Sequence, residues 1–150
     1  MQIAIREAQA AFQEGEVPVG AVVVIDNQVI AANHNRTEQF RDPLAHAEML
    51  VIRDACQVFQ YERLSEASLY VTIEPCAMCA GAVVLARLRQ LVYGARSPKA
   101  GAIHSLYQLV QDPRLNHQVE VVGEVQAQVC GQLMSAFFQQ LRRGEVPKWS

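Results

Sequence analysis

Leu69-Tyr70-Val71-Thr72-Ile73 is a short apolar run rich in β-branched residues, and Glu74-Pro75-Cys76-Ala77-Met78-Cys79 follows it directly. The run predicts a buried strand. Pro75 then opens a helix that continues through Cys79, Val83 and Ala86, because a missing N–H costs nothing in the first helical turn. The strand-to-helix step places two cysteines at i and i+3, on one face of that turn. There the helix dipole and the free N–H groups favour thiolate over thiol.

The same alternation continues on either side. Residues 1–14 carry Ile3, Ile5, Ala8, Ala11 and Phe12 at near-helical spacing, and Gly15 ends the pattern. Val19 to Ile25 and Gln28 to Ala32 read as two strands of a hairpin turning on Asp26-Asn27. Asn33 to Pro43 is polar and irregular and reads as a long loop, of the kind that often carries function. A helix is expected from Leu44 to about Phe59, with Ala45, Met49, Ile52 and Cys56 on one stripe. Leu91 to Ala95 and Val119 to Val122 read as strands, Ser105 to Gln111 as a short helix, and Gln126 to Arg143 as a long final helix. These elements predict an α/β domain: a mixed five-stranded sheet with helices on both faces. Residues 1–150 form a single domain in this reading, with 144–150 as a loose tail.

Half of the 150 residues are apolar (51%), enough for a substantial core, yet no apolar window reaches membrane-spanning length. The N-terminus lacks the charged and continuous apolar regions of a signal peptide. The four cysteines, two of them in C-x-x-C, fit a metal and a reducing cytoplasm better than disulfides. Cys56 and Cys130 sit in apolar helical patterns and read as core. The charge is unevenly spread. Residues 1–85 hold five Lys/Arg against eleven Asp/Glu, whereas residues 86–150 hold eight against four, although the whole chain is only −2. A basic C-terminal half suggests an anionic partner.

His46-Ala47-Glu48 lies thirty residues before Cys76, in the first turn of the preceding predicted helix. If both helices follow strands running the same way, their N-termini meet at one end of the sheet, where ligands bind in such folds. His46, Cys76 and Cys79 are then three ligands for zinc, which leaves a fourth position for water. Zinc lowers the pKa of such a water towards ~7. Glu48 is the nearby group able to move protons. A closed, structural site would need a fourth ligand; Cys56 and Cys130 are isolated, and His34, His104 and His117 have no matching spacing.

With these residues in place, the chain resembles the cytidine-deaminase-like superfamily and, within it, the bacterial tRNA-specific adenosine deaminases. The matching stretches are Gly15 to Val22, Asp42-Pro43 through Met49, Leu69 through Ala82, Lys99 to Ala102, Asp112 to His117 and the Phe137-Phe138 helix. The resemblance implies the three-layer α/β/α cytidine-deaminase-like fold. It implies a homodimeric, cytoplasmic enzyme with one zinc ion per subunit, which deaminates adenosine to inosine at the wobble position of a tRNA anticodon stem-loop. Asn35 matches a loop asparagine that contacts the target base, as an amide that donates and accepts suits a purine edge; by local pattern alone it is a turn residue. Val22 and Ile73 would line the base pocket, though by pattern both are simply core strand residues, and Ala47 would present its backbone N–H near the metal. Phe138, Arg142 and Arg143 would meet flanking nucleotides, and Arg96 and Lys99 phosphates. Leu133, Phe137 and Leu141 share a face and read as core. The chain departs from its relatives at Ser97, where Asp is common, and at His34, where an aromatic residue is common. The zinc motif by itself also suits a deaminase of free bases or nucleosides.

Overall fold

The computed structural model describes residues 1–146. Its elements are α1 (Gln2–Gln13), β1 (Gly20–Ile25), β2 (Gln28–His34), α2 (Thr37–Phe40), α3 (Ala47–Phe59), β3 (Ser68–Ile73), α4 (Ala77–Leu85), β4 (Gln90–Ala95), β5 (Glu120–Val122) and α5 (Ala127–Arg142). The strands form one mixed sheet in the order β2-β1-β3-β4-β5. β1 is antiparallel to both β2 and β3, while β3, β4 and β5 are parallel. It follows that β2 and β3 run in the same direction, and that α3 and α4, which come after them, begin at the same end of the sheet.

The hairpin turn is as the sequence predicts. Asp26 and Asn27 have φ of 49° and 60°, the left-handed pair that matches the twist of the flanking strands. Strand alternation then divides the core. Ala21, Val23, Leu69, Val71, Leu91 and Tyr93 pack with Val51, Ala55 and Val83 of α3 and α4. Burying an aliphatic side chain of this size contributes about 1.5–3 kcal/mol. The opposite face receives α1 and α5, and glycine makes both approaches possible. A Cβ on Gly20 would lie 2.0 Å from the Ala4 carbonyl oxygen of α1, and one on Gly94 would lie 2.5 Å from Cys130 Sγ of α5. Phe12 of α1 meets Phe137 of α5 edge-on, with centroids 5.4 Å apart, and closes this layer.

Several segments differ from expectation. The stretch Asn33 to Pro43 is not structureless: β2 runs on to His34, paired with Gly20, and residues 37–40 form α2. The Glu16 carboxylate accepts hydrogen bonds from the backbone N–H of Glu38 and Gln39, a cap supplied by a residue more than twenty positions away. α3 starts at Ala47, not Leu44; an Asx turn, with Leu44 N–H bonded to Asp42 Oδ1, occupies the preceding residues. Residues 105–111 do not form an α-helix. Leu106 N–H bonds to the Gly101 carbonyl and Leu109 N–H to that of Ala102, spans of five and seven residues, and only a 3-10 turn, Leu109–Gln111, remains. Leu141 is exposed rather than core, unlike Phe137. The start of the expected loose tail is ordered: Glu145 N–H bonds to the Gln140 carbonyl and Val146 is buried. Residues 147–150 lie outside the described residues.

Gly20→Ala would push α1 off the sheet. The expected cost is about 1–3 kcal/mol, the usual range for overpacking, read as a lower melting temperature in circular dichroism.

Candidate active site

His46 and Cys76 occupy equivalent places, each the N-cap of its helix with an extended backbone (φ −73° in both). His46 thus lies one residue before the helix rather than within its first turn. Leu50 N–H bonds to the His46 carbonyl and Ala80 N–H to the Cys76 carbonyl, which anchors both caps. Cys79 sits one turn into α4, fully buried. His46 Nδ1 lies 3.7 Å from Cys76 Sγ and 3.6 Å from Cys79 Sγ, and the three ligand atoms fall within 4.8 Å of one another. This group can hold a metal ion.

The thiols are unequal without a metal. Hydrogen bonds from Cys79, then from His46, drive the Cys76 thiol down to about 3. The hydrogen bond to Cys76, and then burial, push Cys79 up. His46 is raised, chiefly by its contact with Cys76. Glu48, in the first turn of α3, is buried with one carboxyl oxygen, Oε2, unpartnered. Its carboxyl is raised above the usual range, mainly by burial. An unpartnered buried oxygen beside a ligand cluster marks the place where a polar group is to be received.

These residues border a cleft of about 300 Å³ lined by Val17, Val19, Asn35, Thr37, His46, Glu48, Ile73, Glu74, Cys76, Ser97, Ala100 and Met134. Two loops form its walls, and each is held by a buried carboxylate. Glu16, fully buried, caps α2 in the wall that carries Asn35 and Thr37. Glu74 gathers the wall carrying Ser97 and Ala100, accepting from Ser97, Ile103, His104 and Ser105 N–H. Burial opposes the ionisation of Glu74, but the Ser105 hydroxyl and these N–H groups outweigh it and hold the carboxyl down at about 2.

The structure brings His46, Cys76 and Cys79 into one cluster, and His46, Cys76, Glu48, Asn35 and Ile73 into the lining of one cleft. It does not bring Val22 there. Val22 faces the α1 side of the sheet and borders a separate cavity with Met1, Ile3 and Tyr70. Odd-numbered Ala21 and Val23 pack in the core with α3, whereas Val22 and Val24 line the other face, with Met1 and Ile3. Nor is the Ala47 N–H available to a ligand, since it donates to Asn35 Oδ1 at 2.9 Å. That bond orients the Asn35 amide and leaves its NH2 as the group presented to the cleft. Arg96 is half exposed and 3.6 Å from Glu124 Oε1; Lys99, Arg142 and Arg143 are exposed. Phe138 is partly exposed and does not line the cleft; Met134, one turn earlier, does. His34 is buried and bridges to α1, with Nδ1 2.7 Å from Glu7 Oε2 and Nε2 2.9 Å from Glu14 Oε2. Glu16, Glu74, Thr37 and Met134 escaped the sequence reading as site residues. The available signal was a lone carboxylate next to an apolar strand run, at Glu16-Val17-Pro18-Val19 and Ile73-Glu74-Pro75.

A mixed sheet that presents one imidazole, two thiols and a buried carboxyl at paired helix N-termini defines a deaminase of the cytidine-deaminase-like class. Residues 1–142 match the family of MafB19-like deaminases. The chain is 52% identical to the tRNA-specific adenosine deaminase of Bacillus subtilis, over 95% of this chain and 89% of that protein. It is 41% identical to that of Aquifex aeolicus, over 97% and 96%. A solved structure from work on A-to-I editing by tRNA:A34 deaminases at the wobble position superposes with a TM-score of 0.86 at 44% identity, covering 89% of this chain and 96% of the other. Guanine deaminase from Nitrosomonas europaea shares the fold, with a TM-score of 0.75 at 24% identity. The chain belongs to the family of the tRNA-specific adenosine deaminases.

Glu16→Ala would leave the α2 N–H groups without their acceptor, at a cost of about 0.5–2 kcal/mol as for other lost caps. Hydrogen exchange should show residues 37–40 losing protection while the sheet keeps it.

Proposed function

We propose that the protein is a zinc-dependent hydrolase that converts adenosine to inosine at the wobble position of a tRNA anticodon, with Glu48 moving the protons. The observation that carries the zinc assignment is the spacing of the ligand atoms. Tetrahedral zinc, with Zn–S of about 2.3 Å and Zn–N of about 2.0–2.1 Å, sets sulfur and nitrogen roughly 3.6 Å apart; here the separations are 3.6 and 3.7 Å. His46, Cys76 and Cys79 would hold the ion, one per subunit. Bound zinc supplies the Lewis acid that activates a water molecule for attack on the purine carbon bearing the amine.

The remaining work falls to this chain's own groups. Glu48 takes a proton from the attacking water and delivers it to the ring nitrogen; it then takes the second proton from the hydroxyl now on the carbon and gives it to the amine, so that the C–N bond breaks, the carbonyl forms and ammonia leaves. Its burial and raised pKa suit a group that must alternate between accepting and donating. The Asn35 NH2 donates to an acceptor on the purine edge, while its oxygen is fixed by Ala47. Ile73 packs against the base from the end of β3. Val22, being remote, has no part in this pocket.

An anticodon loop reaching this cleft would meet two sources of positive charge. Lys99 and Arg96 lie on the turn beside Ser97. On α5, Met134, Phe138 and Arg142 follow at four-residue intervals on one stripe leading away from the cleft. Phe138 offers a face for stacking, and Arg142 and Arg143 meet phosphates. The sequence identity to the named tRNA enzymes supports this substrate. The homodimer and the cytoplasmic location implied by the family resemblance belong to the same reading. Among the described residues no helix is long and apolar enough to cross a membrane.

Incubation of purified tRNA with the zinc-loaded protein, followed by sequencing for inosine, should show conversion at the wobble position, and a protein active only on free bases or nucleosides would overturn the reading. Glu48→Ala should retain zinc by metal analysis and lose about 10²-fold or more in turnover. Arg142→Ala with Arg143→Ala should reduce the slope of log affinity against log salt by about one to two, measured by filter binding; an unchanged slope would remove α5 from the interface.

A further inference from the structure

Glu74 holds more of the cleft than its place beside Cys76 requires. Its carboxylate is 3% exposed. Among the described residues its partners are N–H and O–H groups rather than cations. Oε2 accepts from three consecutive backbone N–H groups, those of Ile103, His104 and Ser105, at 3.1, 2.9 and 2.9 Å. Oε1 accepts from Ser97 N–H at 3.2 Å and from the Ser105 hydroxyl at 2.6 Å. Consecutive N–H groups aimed at one oxygen form an anion-binding nest, and here the chain fills its own nest. The same segment is laid against the metal-binding turn. Ala102 N–H bonds to the Pro75 carbonyl, and Gly101 pairs with Cys76 as an isolated antiparallel bridge. Gly101 is small by necessity, because a Cβ there would come within 2.3 Å of the Glu74 carboxylate.

We infer that Glu74 is a positioning residue for substrate. Its carboxylate sets residues 97–105 as the wall of the cleft that the RNA meets, with Ser97 held at the rim. The inference rests on the proposed function for the nature of the substrate, though not for the geometry. His46, Glu48 and Cys79 belong to α3, α4 and the α3 N-cap, outside this wall, and Cys76 meets it only through the backbone bridge to Gly101, so releasing the bonds to the carboxylate removes chiefly binding common to ground and transition states.

The carboxylate and its amide are distinguishable here. In Glu74→Gln the amide oxygen takes the place of Oε2 and keeps all three nest N–H groups. The amide NH2 then donates to Ser105 Oγ, and only the Ser97 bond is lost. Glu74→Ala releases all five donors. Glu74→Ala should therefore raise KM for tRNA about tenfold or more while kcat changes by less than about threefold. Glu74→Gln should fall between it and the unmodified protein. By amide hydrogen exchange, Glu74→Ala should lose protection at Ser97 and at 103–105, and Glu74→Gln at Ser97 alone. Gly101→Ala should lower the melting temperature in the native background but hardly at all beside Glu74→Ala, where the clash is gone, a non-additivity expected only of directly coupled residues. A fall in kcat with unchanged KM would overturn the inference, as would retained protection at 103–105 in Glu74→Ala or an additive Gly101 cycle. The exchange and melting measurements need no substrate, so they stand if the protein proves inactive on tRNA, an outcome that would sink the functional reading alone.

Discussion

The approach of His46 Nδ1 to two cysteine sulfurs is the contact around which the rest of the molecule is arranged. Bringing one imidazole and two thiols within 4.8 Å demands two helix N-termini side by side. That in turn demands two strands that run the same way and end at the same edge. β2 and β3 meet the condition although β1 lies between them, because β1 is antiparallel to both. The hairpin turn at Asp26-Asn27 is thus part of the chemistry at a distance, since it sets the direction of β2. The helix dipoles pointing into the site favour thiolate, the form in which cysteine binds a metal ion.

Burial does the second part of the work. Glu48 is raised by desolvation and keeps one oxygen unpartnered, the condition of a group that exchanges protons with a ligand. Glu74, also buried, is surrounded by donors and held down at about 2, the condition of a group that stays an anion. The two carboxylates have opposite surroundings: one is left with an oxygen free to meet a ligand, the other orders backbone. Glu16 repeats the second role on the facing wall. The cleft lies at the N-termini of α3 and α4, between two walls each held by a buried carboxylate.

Local pattern made much of this legible. The β-branched runs marked the strands, Asp26-Asn27 the turn, and the spacing of His46, Glu48, Cys76 and Cys79 the reacting cluster, because ligand type and helical periodicity are written in consecutive residues. It failed where the backbone answers to a distant partner. α2 forms because Glu16 caps it, and residues 105–111 are not an α-helix because their N–H groups go off the helical pattern, Leu106 to the Gly101 carbonyl and Leu109 to that of Ala102. Leu141, at core spacing from Phe137, is exposed, while Phe137 is buried against Phe12 of α1. Val22 illustrates a third kind of failure, in which the residue is buried as expected but on the other face of its strand, against α1.

Sequence alone determined the strands, the long helices and the cluster of one histidine and two cysteines that can hold a metal ion, since each depends on residues close together in the chain. Only the tertiary structure decided which groups form the walls of the cleft. The Asn35 amide is oriented by the Ala47 N–H, and Ser97 is set by Glu74, through bonds spanning 12 and 23 residues. Such bonds exist only once the sheet has brought the loops over one edge, because a buried carboxylate or amide takes whichever donors the fold supplies and the order of residues does not specify them.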